Sequence, residues 1–560
     1  MANGEPRTLP AALAQAARRF PERGVAIFDG RGRHYERRSY PDILASAQTA
    51  AERFAALGLR PGERVLVCLP SSWAWMDAWL GTALRGGLPV AVAPAGAMGS
   101  SEGFVQRLGG ILERLDARFL VASEALRRDA LRLEIPRVAA AIVTPEELAA
   151  ATPQRFTAPA PEPGDIAFLQ LTSGSTGVPR AVQISHQGLL HNCEAMSQGI
   201  GMPFGAPARD WVDSMVSWLP LHHDMGLGGG LFLSLTQGFD LWLFRPETFL
   251  ARPRLWLEHL ASHGTAFTTA PNFGYQLCVE RIAPEELAGL DLSRWQAAMT
   301  GAEMVRPETT AAFAQLTAAC GFRESVFRPC YGLAEATLAV SMDLRGEGPR
   351  TVPLPAGADA GLGINEVVSV GVPVLDTQVR IAGPDDQPLP DGQVGEVQVH
   401  GPAIFRGYFQ DPEATGEGLR DGWLCTGDLG FLHQGELYIA GRLKDLLIVR
   451  GHNMMPHELE WLAESVTGGG GALRCGAFSV ARGVEGEQPV LVLETSEKDP
   501  AALAAMEHEI RQRIGRALSL PLADLIFVRR GRIPKTTSGK VQRRELRRRY
   551  LAGELQGLAD

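Results

Sequence analysis

Two hydrophobic periodicities alternate along the first 150 residues. Residues 40–57 carry apolar side chains every three or four positions, and Ser39 stands where an N-cap is expected, so this stretch predicts an amphipathic helix. Residues 64–69 (RVLVCL) form a short apolar run typical of a buried strand, the helical pattern returns over 71–84, and 89–92 begins another strand. Strands and helices alternating at this spacing indicate βαβ units and a mostly parallel sheet.

A chain of 560 residues is long enough for several structural units, and the pattern after residue 150 predicts further ones. Short strand patterns with turns such as GPDD and LPDG indicate a β-rich subdomain at 368–440, preceded by a Gly- and Pro-punctuated insertion at 341–367. The composition shifts at 441–445, and 446–560 again mixes strands with helices. We therefore expect an α/β protein, with a large N-terminal domain of mixed and parallel sheets at 1–440 and a small α+β C-terminal domain.

Composition and charge narrow the class of protein. Hydrophobic residues make up 45% of the chain and charged residues 21%, which is typical of a globular protein, and the net charge of −9 argues against nucleic acid as the main partner. Seven scattered cysteines without a CxxC pair indicate reduced thiols. The N-terminus lacks the apolar core of a secretory signal, and no run of about 18 uncharged apolar residues occurs. We expect a cytoplasmic protein without a membrane span.

A hydroxyl- and glycine-rich segment separates two apolar strand patterns. Residues 172–180 read TSGSTGVPR, between the strand patterns at 165–171 and 181–185. Backbone N–H groups and hydroxyls in such a loop can wrap a polyphosphate, and Arg180 adds positive charge. The segment is not a Walker A loop, since no GK[ST] follows at the required spacing. A Ser/Gly turn without a ligand is the alternative reading.

Several weaker fragments carry candidate chemistry. Lys540 ends the turn PKTTSGK and could reach a substrate as a mobile cation, although it also lies in a basic stretch, 529–549, of the kind that is usually a solvated face. Glu335 in YGLAEAT suits Mg²⁺, which prefers oxygen ligands. Asp428 follows a glycine in TGD and suits two ribose hydroxyls, although such an Asp is more often a turn residue or a helix cap.

The joint order of these fragments is more specific than any one of them. TSGSTG, YGLAE, TGD, GRLKD and TTSGK occur in that order over some 370 residues, and the chain resembles the adenylate-forming superfamily of acyl and aryl ligases, luciferases and peptide-synthetase adenylation domains. The resemblance covers roughly residues 9–550. Four further stretches, WLPLHHDMGL, APNFGY, LDLSRW and FRPCYGLAEAT, are similar to the fatty acyl-AMP ligase branch.

The resemblance implies a reaction in two halves. In the first half a carboxylate attacks the α-phosphorus of ATP bound to Mg²⁺, which gives an acyl-adenylate and pyrophosphate. In the second half a thiol takes the acyl group. In this branch the thiol belongs to the phosphopantetheine arm of an acyl carrier protein, and the acid is a fatty acid. The insertion at 341–367 stands where this branch has a segment that restrains the C-terminal domain and disfavours CoA.

The resemblance also assigns candidate roles. Lys540, His223 and Glu335 are the catalytic candidates, with Glu335 as the Mg²⁺ ligand, and Lys444 is the hinge about which 446–560 rotates between the two half-reactions. The candidates for phosphate binding are Thr172, Ser173, Gly174, Ser175, Thr176, Gly177 and Arg180. The candidates for binding adenine and ribose are Gly301, Ala302, Glu303, Tyr331, Gly332, Asp428 and Arg442.

The histidine pair at 222–223 and the apolar segment at 227–244 each allow more than one interpretation. Adjacent residues His222 and His223 would point to opposite faces of a strand, so we expect no transition metal there, and the resemblance places His223 at the wall of the acyl pocket. The segment 227–244 (LGGGLFLSLTQGFDLWLF) either lines an acyl tunnel or forms ordinary core strands or a buried helix. The basic stretch 529–549 suits the docking of an acidic carrier protein.

Three departures from the family pattern bear on the final acceptor. Arg180 stands where the family usually has lysine, residues 453–456 (NMMP) replace a more aromatic version, and the insertion is shorter than usual. Arginine keeps the charge but replaces a point cation by a planar fork. An acyl-CoA ligase and a catalytically weak nucleotide- or acyl-binding protein therefore stand as alternatives to the carrier-loading ligase.

Overall fold

The helices and strands follow the alternation expected from the sequence. The computed structural model describes residues 6–94, 101–158, 160–172, 179–201, 214–355, 366–445, 447–449, 452–454, 456–466, 475–481, 487–518, 522–535 and 541–555. The helices are α1 (Leu9–Arg19), α2 (Tyr40–Ala56), α3 (Trp73–Leu84), α4 (Ser101–Arg114), α5 (Glu124–Arg132), α6 (Pro136–Ala141), α7 (Pro145–Ala150), α8 (His186–Gly199), α9 (Asp224–Gly226), α10 (Leu233–Gln237), α11 (Pro246–Ala251), α12 (Arg254–Ser262), α13 (Asn272–Arg281), α14 (Pro307–Thr317), α15 (Pro412–Gly418), α16 (Pro456–Val466), α17 (Pro500–Leu518) and α18 (Arg543–Leu551).

The strands are β1 (Gly24–Phe28), β2 (Tyr35–Ser39), β3 (Arg64–Val67), β4 (Leu88–Ala91), β5 (Phe119–Val121), β6 (Ile142–Val143), β7 (Ile166–Thr172), β8 (Arg180–Ser185), β9 (Ser214–Ser217), β10 (Asp240–Leu243), β11 (Phe267–Pro271), β12 (Ala297–Gly301), β13 (Phe327–Gly332), β14 (Ala339–Met342), β15 (Thr351–Pro353), β16 (Glu366–Val368), β17 (Val372–Pro373), β18 (Gln378–Ala382), β19 (Gly395–His400), β20 (Leu419–Arg420), β21 (Trp423–His433), β22 (Glu436–Arg442), β23 (Leu447–Val449), β24 (His452–Met454), β25 (Cys475–Ala481), β26 (Glu487–Thr495) and β27 (Asp524–Arg529). A π-helix (Leu227–Phe232) joins α9 to α10.

The first βαβ units form a six-stranded sheet in the order β6-β5-β3-β4-β7-β8. Its strands are parallel except for β8, which runs antiparallel to β7. The predicted helix at 40–57 is confirmed as α2. The Ser39 side chain accepts from the Asp42 backbone N–H, and the Asp42 carboxylate accepts from the Ser39 N–H, which satisfies two N-terminal donors reciprocally.

A second sheet of nine strands carries the middle of the chain, in the order β17-β14-β13-β12-β11-β9-β10-β1-β2. The six strands from β13 to β1 are parallel, and the antiparallel strands β2, β14 and β17 close the two sides. A buried aromatic cluster packs against this sheet, with Trp256, Tyr275, Trp295 and Phe313 each almost fully buried. The expected mixed and parallel α/β fold is confirmed.

The predicted β-rich segment is an antiparallel sheet of β18, β19, β20, β21 and β22. The insertion at 341–367 contains β15 and the first two residues of β16, which pair as a two-stranded antiparallel ribbon. Residues 356–365 lie outside the described residues. Arg350, just before β15, donates to Glu436 Oε1 at 2.6 Å, which ties the insertion to β22.

The C-terminal part of the chain has hydrophobic clusters of its own. One cluster joins α16 and α17 to β25–β27 and includes Leu459, Ile510 and Leu491, and a second joins α18 to the other side of the same sheet. The separate C-terminal domain at 446–560 and the division at 441–445 stay predictions. Among the described helices none is long and apolar enough to span a bilayer.

The parallel strands of the large sheet place several motifs at one edge. β9, β11, β12 and β13 run in the same direction, so the segments that follow Ser217, Pro271, Gly301 and Gly332 all leave the sheet at its carboxyl end. Ligands of open α/β sheets bind in the crevice outside these ends. The WLPLHHD, PNFG, GAE and YGLAE motifs therefore lie at one edge of this sheet, where we expect the site.

Candidate active site

The predicted phosphate loop connects two antiparallel strands. Thr172 ends β7 and Arg180 begins β8, and the two residues are paired, with Thr172 Oγ1 donating to the Arg180 carbonyl oxygen at 3.5 Å. Ser173, Gly174, Ser175, Thr176 and Gly177 lie outside the described residues. The two predicted flanking strands are confirmed as β7 and β8, which the structure pairs as a hairpin, and the phosphate-binding roles stay predictions.

Arg180 is held by two neighbours at the base of this loop. Its guanidinium lies 5.1 Å from the centre of the Tyr408 ring, within the range of a cation–π contact. Its Nε lies 3.9 Å from Asp411 Oδ2, which also accepts from Arg114 at 2.5 Å. The side chain that replaces the family's lysine is therefore oriented by an aromatic face and a shared carboxylate.

Glu335 lies in a short 3₁₀ turn, Ala334–Ala336, directly after β13. Its backbone carbonyl accepts from Phe405 N at 2.8 Å, and its carboxylate Oε1 accepts from Tyr408 Oη at 2.8 Å. Burial raises the pKa of the Glu335 carboxyl, and the Tyr408 hydroxyl opposes that shift. A partly buried carboxylate near the base of the predicted phosphate loop has the hard oxygen donors that suit Mg²⁺, which otherwise takes water and substrate phosphate as ligands.

Asp428 joins two other predicted site residues. Its Oδ2 accepts from Tyr331 Oη at 2.6 Å and its Oδ1 from Arg442 Nε at 3.0 Å. Asp428 is only 6% exposed, and β21 pairs it directly with Arg442 on β22. The neighbouring carboxylate raises the pKa of Arg442, so the guanidinium remains charged. Three predicted adenine- and ribose-binding residues thus form one hydrogen-bonded group.

The predicted adenine segment follows β12. A Cβ at Gly301 would stand 2.6 Å from the Cys330 carbonyl oxygen, so only glycine allows β12 and β13 to approach this closely. Ala302 adopts the left-handed conformation with φ 64°, which turns the chain out of the sheet. Glu303 then accepts from Phe273 N at 2.5 Å and links this turn to the start of α13.

The turn that carries Glu335 is equally constrained. A Cβ at Gly332 would stand 1.8 Å from the Leu338 carbonyl oxygen, and Leu333 N donates to that same oxygen at 2.9 Å. Thr337 takes a φ of 66° and donates from Oγ1 to the Ala403 carbonyl oxygen at 2.6 Å. Residues 332–338 therefore form a compact loop whose backbone is tied to the 403–405 segment.

The reading of His222 and His223 as neighbours on a strand is wrong. Both lie in the turn before α9, because Pro220 and the helix start at Asp224 interrupt the extended backbone. His223 Nδ1 lies 2.7 Å from Asp224 Oδ1 and also accepts from Met225 N at 3.3 Å. His222 is more deeply enclosed, and burial lowers its pKa to about 3.

The apolar segment 227–244 is mostly helical. A π-helix and α10 run to Gln237, and only Asp240–Leu243 forms a strand. Gly228 and Gly229 face Leu338 at 3.3 and 3.2 Å from a hypothetical Cβ, so the π-helix lies against the Glu335 loop. The buried-helix alternative describes most of the segment, and the acyl tunnel stays a prediction.

Of the predicted hinge Lys444 and the predicted catalytic Lys540, the structure describes only Lys444. Lys444 is exposed in the turn Leu443–Asp445, directly after β22. Lys540 lies outside the described residues, between Lys535 and Val541, which form an isolated antiparallel bridge. No group of three or more His, Cys, Asp or Glu side chains suited to a metal occurs within the described part of the chain.

Two contributors to this region were missed in the sequence. Tyr408 joins Glu335 to Arg180, and it stands 73 positions from Glu335 in a segment without a recognised motif. Arg543 donates to both carboxylate oxygens of the fully buried Glu460, at 2.9 and 2.7 Å, and to Asp445 at 3.2 Å. It was counted only as part of a basic stretch, and its place three residues after Lys540 was the available signal.

The sheets and the crevice at their carboxyl edge are those of an adenylate-forming enzyme. The chain belongs to the AMP-binding enzyme family, whose model matches residues 13–409.

Relatives with related names align over nearly all of the chain. Long-chain-fatty-acid--AMP ligase FadD26 of Mycobacterium marinum is 33% identical over 586 aligned positions, covering 97% of each chain. The 4-hydroxyphenylalkanoate adenylyltransferase of Mycobacterium tuberculosis is 34% identical over 538 positions, covering 89% of this chain and 84% of that protein. A structure from studies of fatty acyl-adenylate ligases of E. coli and L. pneumophila superposes with a TM-score of 0.87 at 29% identity, covering 98% of each chain.

Proposed function

We propose that this protein activates a fatty acid with ATP to give acyl-AMP and pyrophosphate, and then transfers the acyl group to the phosphopantetheine thiol of an acyl carrier protein. The proposal is carried by the Tyr331–Asp428–Arg442 hydrogen-bonded group, whose arginine interacts electrostatically with Glu335, together with the contacts of Tyr408 with Glu335 and Arg180. Relatives named fatty-acid–AMP ligase and adenylyltransferase support the first half of the reaction.

In the first half-reaction a carboxylate oxygen of the acid attacks the α-phosphorus of ATP. The bond from the α-phosphorus to the bridging oxygen breaks, and pyrophosphate leaves with that electron pair. Negative charge develops on the phosphoryl oxygens, so fixed cations aimed at them stabilise the transition state. Arg180 supplies such a cation at the base of the phosphate loop, and Lys540 is the candidate for the carboxylate and α-phosphate oxygens.

The other site residues orient the nucleotide. Asp428, already positioned by Tyr331 and Arg442, has lone pairs left to accept the ribose hydroxyls, because each carboxylate oxygen can accept more than one hydrogen bond. The 301–303 turn and Tyr331 border the adenine. Glu335 would hold Mg²⁺, which neutralises charge on the phosphates when bound.

In the second half-reaction the thiol sulfur attacks the acyl carbon, the bond to the phosphate oxygen breaks, the thiol proton is lost and AMP leaves. Movement of the C-terminal part about Lys444 would exchange Lys540 for the thiol. The carrier protein as acceptor is inferred from the branch-specific motifs and the insertion at 341–367, and CoA is the alternative acceptor.

Fatty-acid-dependent exchange of pyrophosphate into ATP tests the first half. Lys540→Ala should lower the exchange rate by at least about a hundredfold, since a charge acting on the transition state is removed. Lys498→Ala, an exposed lysine beside α17, is the matched control and should leave the rate unchanged. Wild-type protein without exchange on any carboxylic acid would favour a binding protein over an enzyme.

Incubation with fatty acid, ATP and either CoA or a holo carrier protein tests the second half. We expect acyl transfer to the carrier and little acyl-CoA. Rapid formation of acyl-CoA would contradict the carrier-loading proposal and leave the adenylation proposal intact.

A further inference from the structure

The segment 405–409 runs beside the strand that leaves the phosphate loop. Gln183 N donates to the Gly407 carbonyl oxygen at 3.0 Å, Arg406 N to the Gln183 carbonyl oxygen at 3.0 Å, and Phe409 N to the Ala181 carbonyl oxygen at 2.8 Å. Tyr408 pairs with Val182 as an isolated antiparallel bridge. This backbone ladder fixes Tyr408 next to the first residues of β8, so its position relative to Arg180 is set by main-chain hydrogen bonds.

The same segment is fixed to the Glu335 turn. Phe405 N donates to the Glu335 carbonyl oxygen at 2.8 Å, and the Tyr408 N–H donates to Thr415 Oγ1 at 2.9 Å. The Tyr408 ring packs edge-on against Phe405, with centroids 4.9 Å apart, and the residue is 9% exposed. A buried ring held in this way has little freedom to turn, so its hydroxyl stays directed at Glu335 Oε1.

We propose that Tyr408 is a positioning residue that holds the Glu335 carboxylate and the Arg180 guanidinium in fixed relation to each other. Its hydroxyl donates to the carboxylate at 2.8 Å, and its ring face lies 5.1 Å from the guanidinium carbon. This inference rests on the proposed function, in which Glu335 holds Mg²⁺ and Arg180 faces the phosphates. It also gives a physical reason for Arg180, since a planar guanidinium can stack on a ring and still reach Asp411.

Tyr408→Phe removes the hydroxyl, which donates to Glu335 and also faces the Arg180 guanidinium, and it keeps the ring beneath Arg180. We expect the affinity for a non-hydrolysable ATP analogue in the presence of Mg²⁺, measured by calorimetry, to fall about tenfold. EDTA removes Mg²⁺, so Glu335 then has no metal ion to hold. Under that condition the affinity of the variant for the analogue should stay within about twofold of wild type.

Tyr438→Phe is a matched control. Tyr438 is also buried and donates from its hydroxyl to a glutamate, Glu436 Oε2, at 3.3 Å in the β22 strand. It should leave both affinities unchanged. If it lowers the Mg²⁺-dependent affinity as much as Tyr408→Phe does, the effect is one of general stability and the proposal is overturned.

A double-mutant cycle with Glu335→Gln provides the second measurement. If Tyr408 acts through the Glu335 carboxylate, Tyr408→Phe should add no further loss of Mg²⁺-dependent binding in the Glu335→Gln background. Arg180→Lys should weaken binding with and without Mg²⁺, because the ammonium keeps the charge and loses the stacked orientation. Additive losses in the cycle, or a wild-type Mg²⁺ dependence in Tyr408→Phe, would reject the positioning role.

These outcomes separate the two proposals. Wild-type exchange of pyrophosphate together with an unaffected Tyr408→Phe variant would reject the positioning role and keep the ligase. A Mg²⁺-specific loss in Tyr408→Phe in a chain that shows no exchange would keep the positioning role and reject the ligase.

Discussion

At the scale of single residues, the site is built from charges that are already paired before substrate binds. Asp428 is buried and accepts from both Tyr331 and Arg442, so its carboxylate cannot turn away from the crevice. Arg180 and Glu335 are likewise held by Tyr408. Preorganised polar groups of this kind cost no reorganisation when the nucleotide binds, which is why buried, paired side chains are suited to it.

Asp428→Asn tests this preorganisation. The amide keeps the size of the side chain but loses the charge that faces Arg442, and it can accept on one oxygen only. We expect the affinity for ATP, measured by calorimetric titration, to fall about tenfold, the effect of losing a charge-assisted hydrogen bond.

Asp343→Asn is the control for that measurement. Asp343 is also a buried aspartate, 2% exposed, and lies 3.3 Å from Arg350, and it is not among the predicted nucleotide-binding residues. It should leave the affinity for ATP unchanged. An equal loss of affinity in both variants would show that Asp428 acts only through stability.

The basic residues show how far the role of a side chain could be predicted from the sequence. The chain has four lysines, at 444, 498, 535 and 540, and otherwise uses arginine as its cation. Two of the four stand at the predicted hinge and the predicted catalytic position, so they were recognisable from motif and rarity together. Arg543 and Arg306 are neither rare nor part of a predicted motif, because their importance comes from buried carboxylates that are distant in sequence.

At the scale of secondary structure, the first helix is fixed by a histidine of another helix. Leu9 N, at the start of α1, donates to His186 Nδ1 at 3.1 Å, and His186 begins α8. Because the ring accepts this bond on Nδ1, Nδ1 carries no proton, and the ring is the neutral tautomer with its proton on Nε2. Burial lowers the pKa of His186 to about 4.

The pH dependence of stability follows from this contact. In the unfolded chain the ring takes up a proton near pH 6.5, whereas in the folded chain it stays neutral down to about pH 4. Between these values the unfolded state binds more protons, so stability falls as the pH falls. One such histidine contributes a slope of about 1.4 kcal/mol per pH unit.

His186→Gln should reduce that slope in urea unfolding measured from pH 7.5 to pH 4.5. Glutamine can still accept from Leu9 N, so the helix contact is retained while the titration is removed. The difference in stability between variant and wild type should be constant above pH 7, where the histidine is neutral in both states. An unchanged slope below pH 6.5 would contradict the assignment.

At the scale of the whole molecule, Arg306 links the start of α14 to α16 of the predicted C-terminal domain. Arg306 precedes α14 beside the predicted adenine turn, and its Nη1 donates to Glu464 Oε2 in α16 at 2.9 Å. Its guanidinium also lies 4.7 Å from the Trp461 ring centre. The arginine side chain is 20% exposed and the glutamate 11%, so solvent screens this ion pair less than it would at the surface.

Arg306→Ala should loosen this junction. We expect tryptic cleavage within residues 442–450 to become about tenfold faster, since a cation–π contact and a partly buried ion pair together contribute on the order of 1–2 kcal/mol. Arg254→Ala is the control, because Arg254 pairs with Glu258 within the single helix α12. Equal cleavage rates for all three proteins would show that Arg306 does not hold these two helices together.

The sequence by itself determined the alternating elements, the glycines and hydroxyls at strand ends, and the order of motifs, because periodicity and turn chemistry depend on neighbours a few residues apart. Only the tertiary structure decided which side chains satisfy each buried charge. The partners Tyr408 and Glu335, Arg543 and Asp445, and Arg306 and Glu464 are separated by 73, 98 and 158 positions. Such pairings depend on how sheets and helices pack, and a buried charge must find whichever partner that packing brings near.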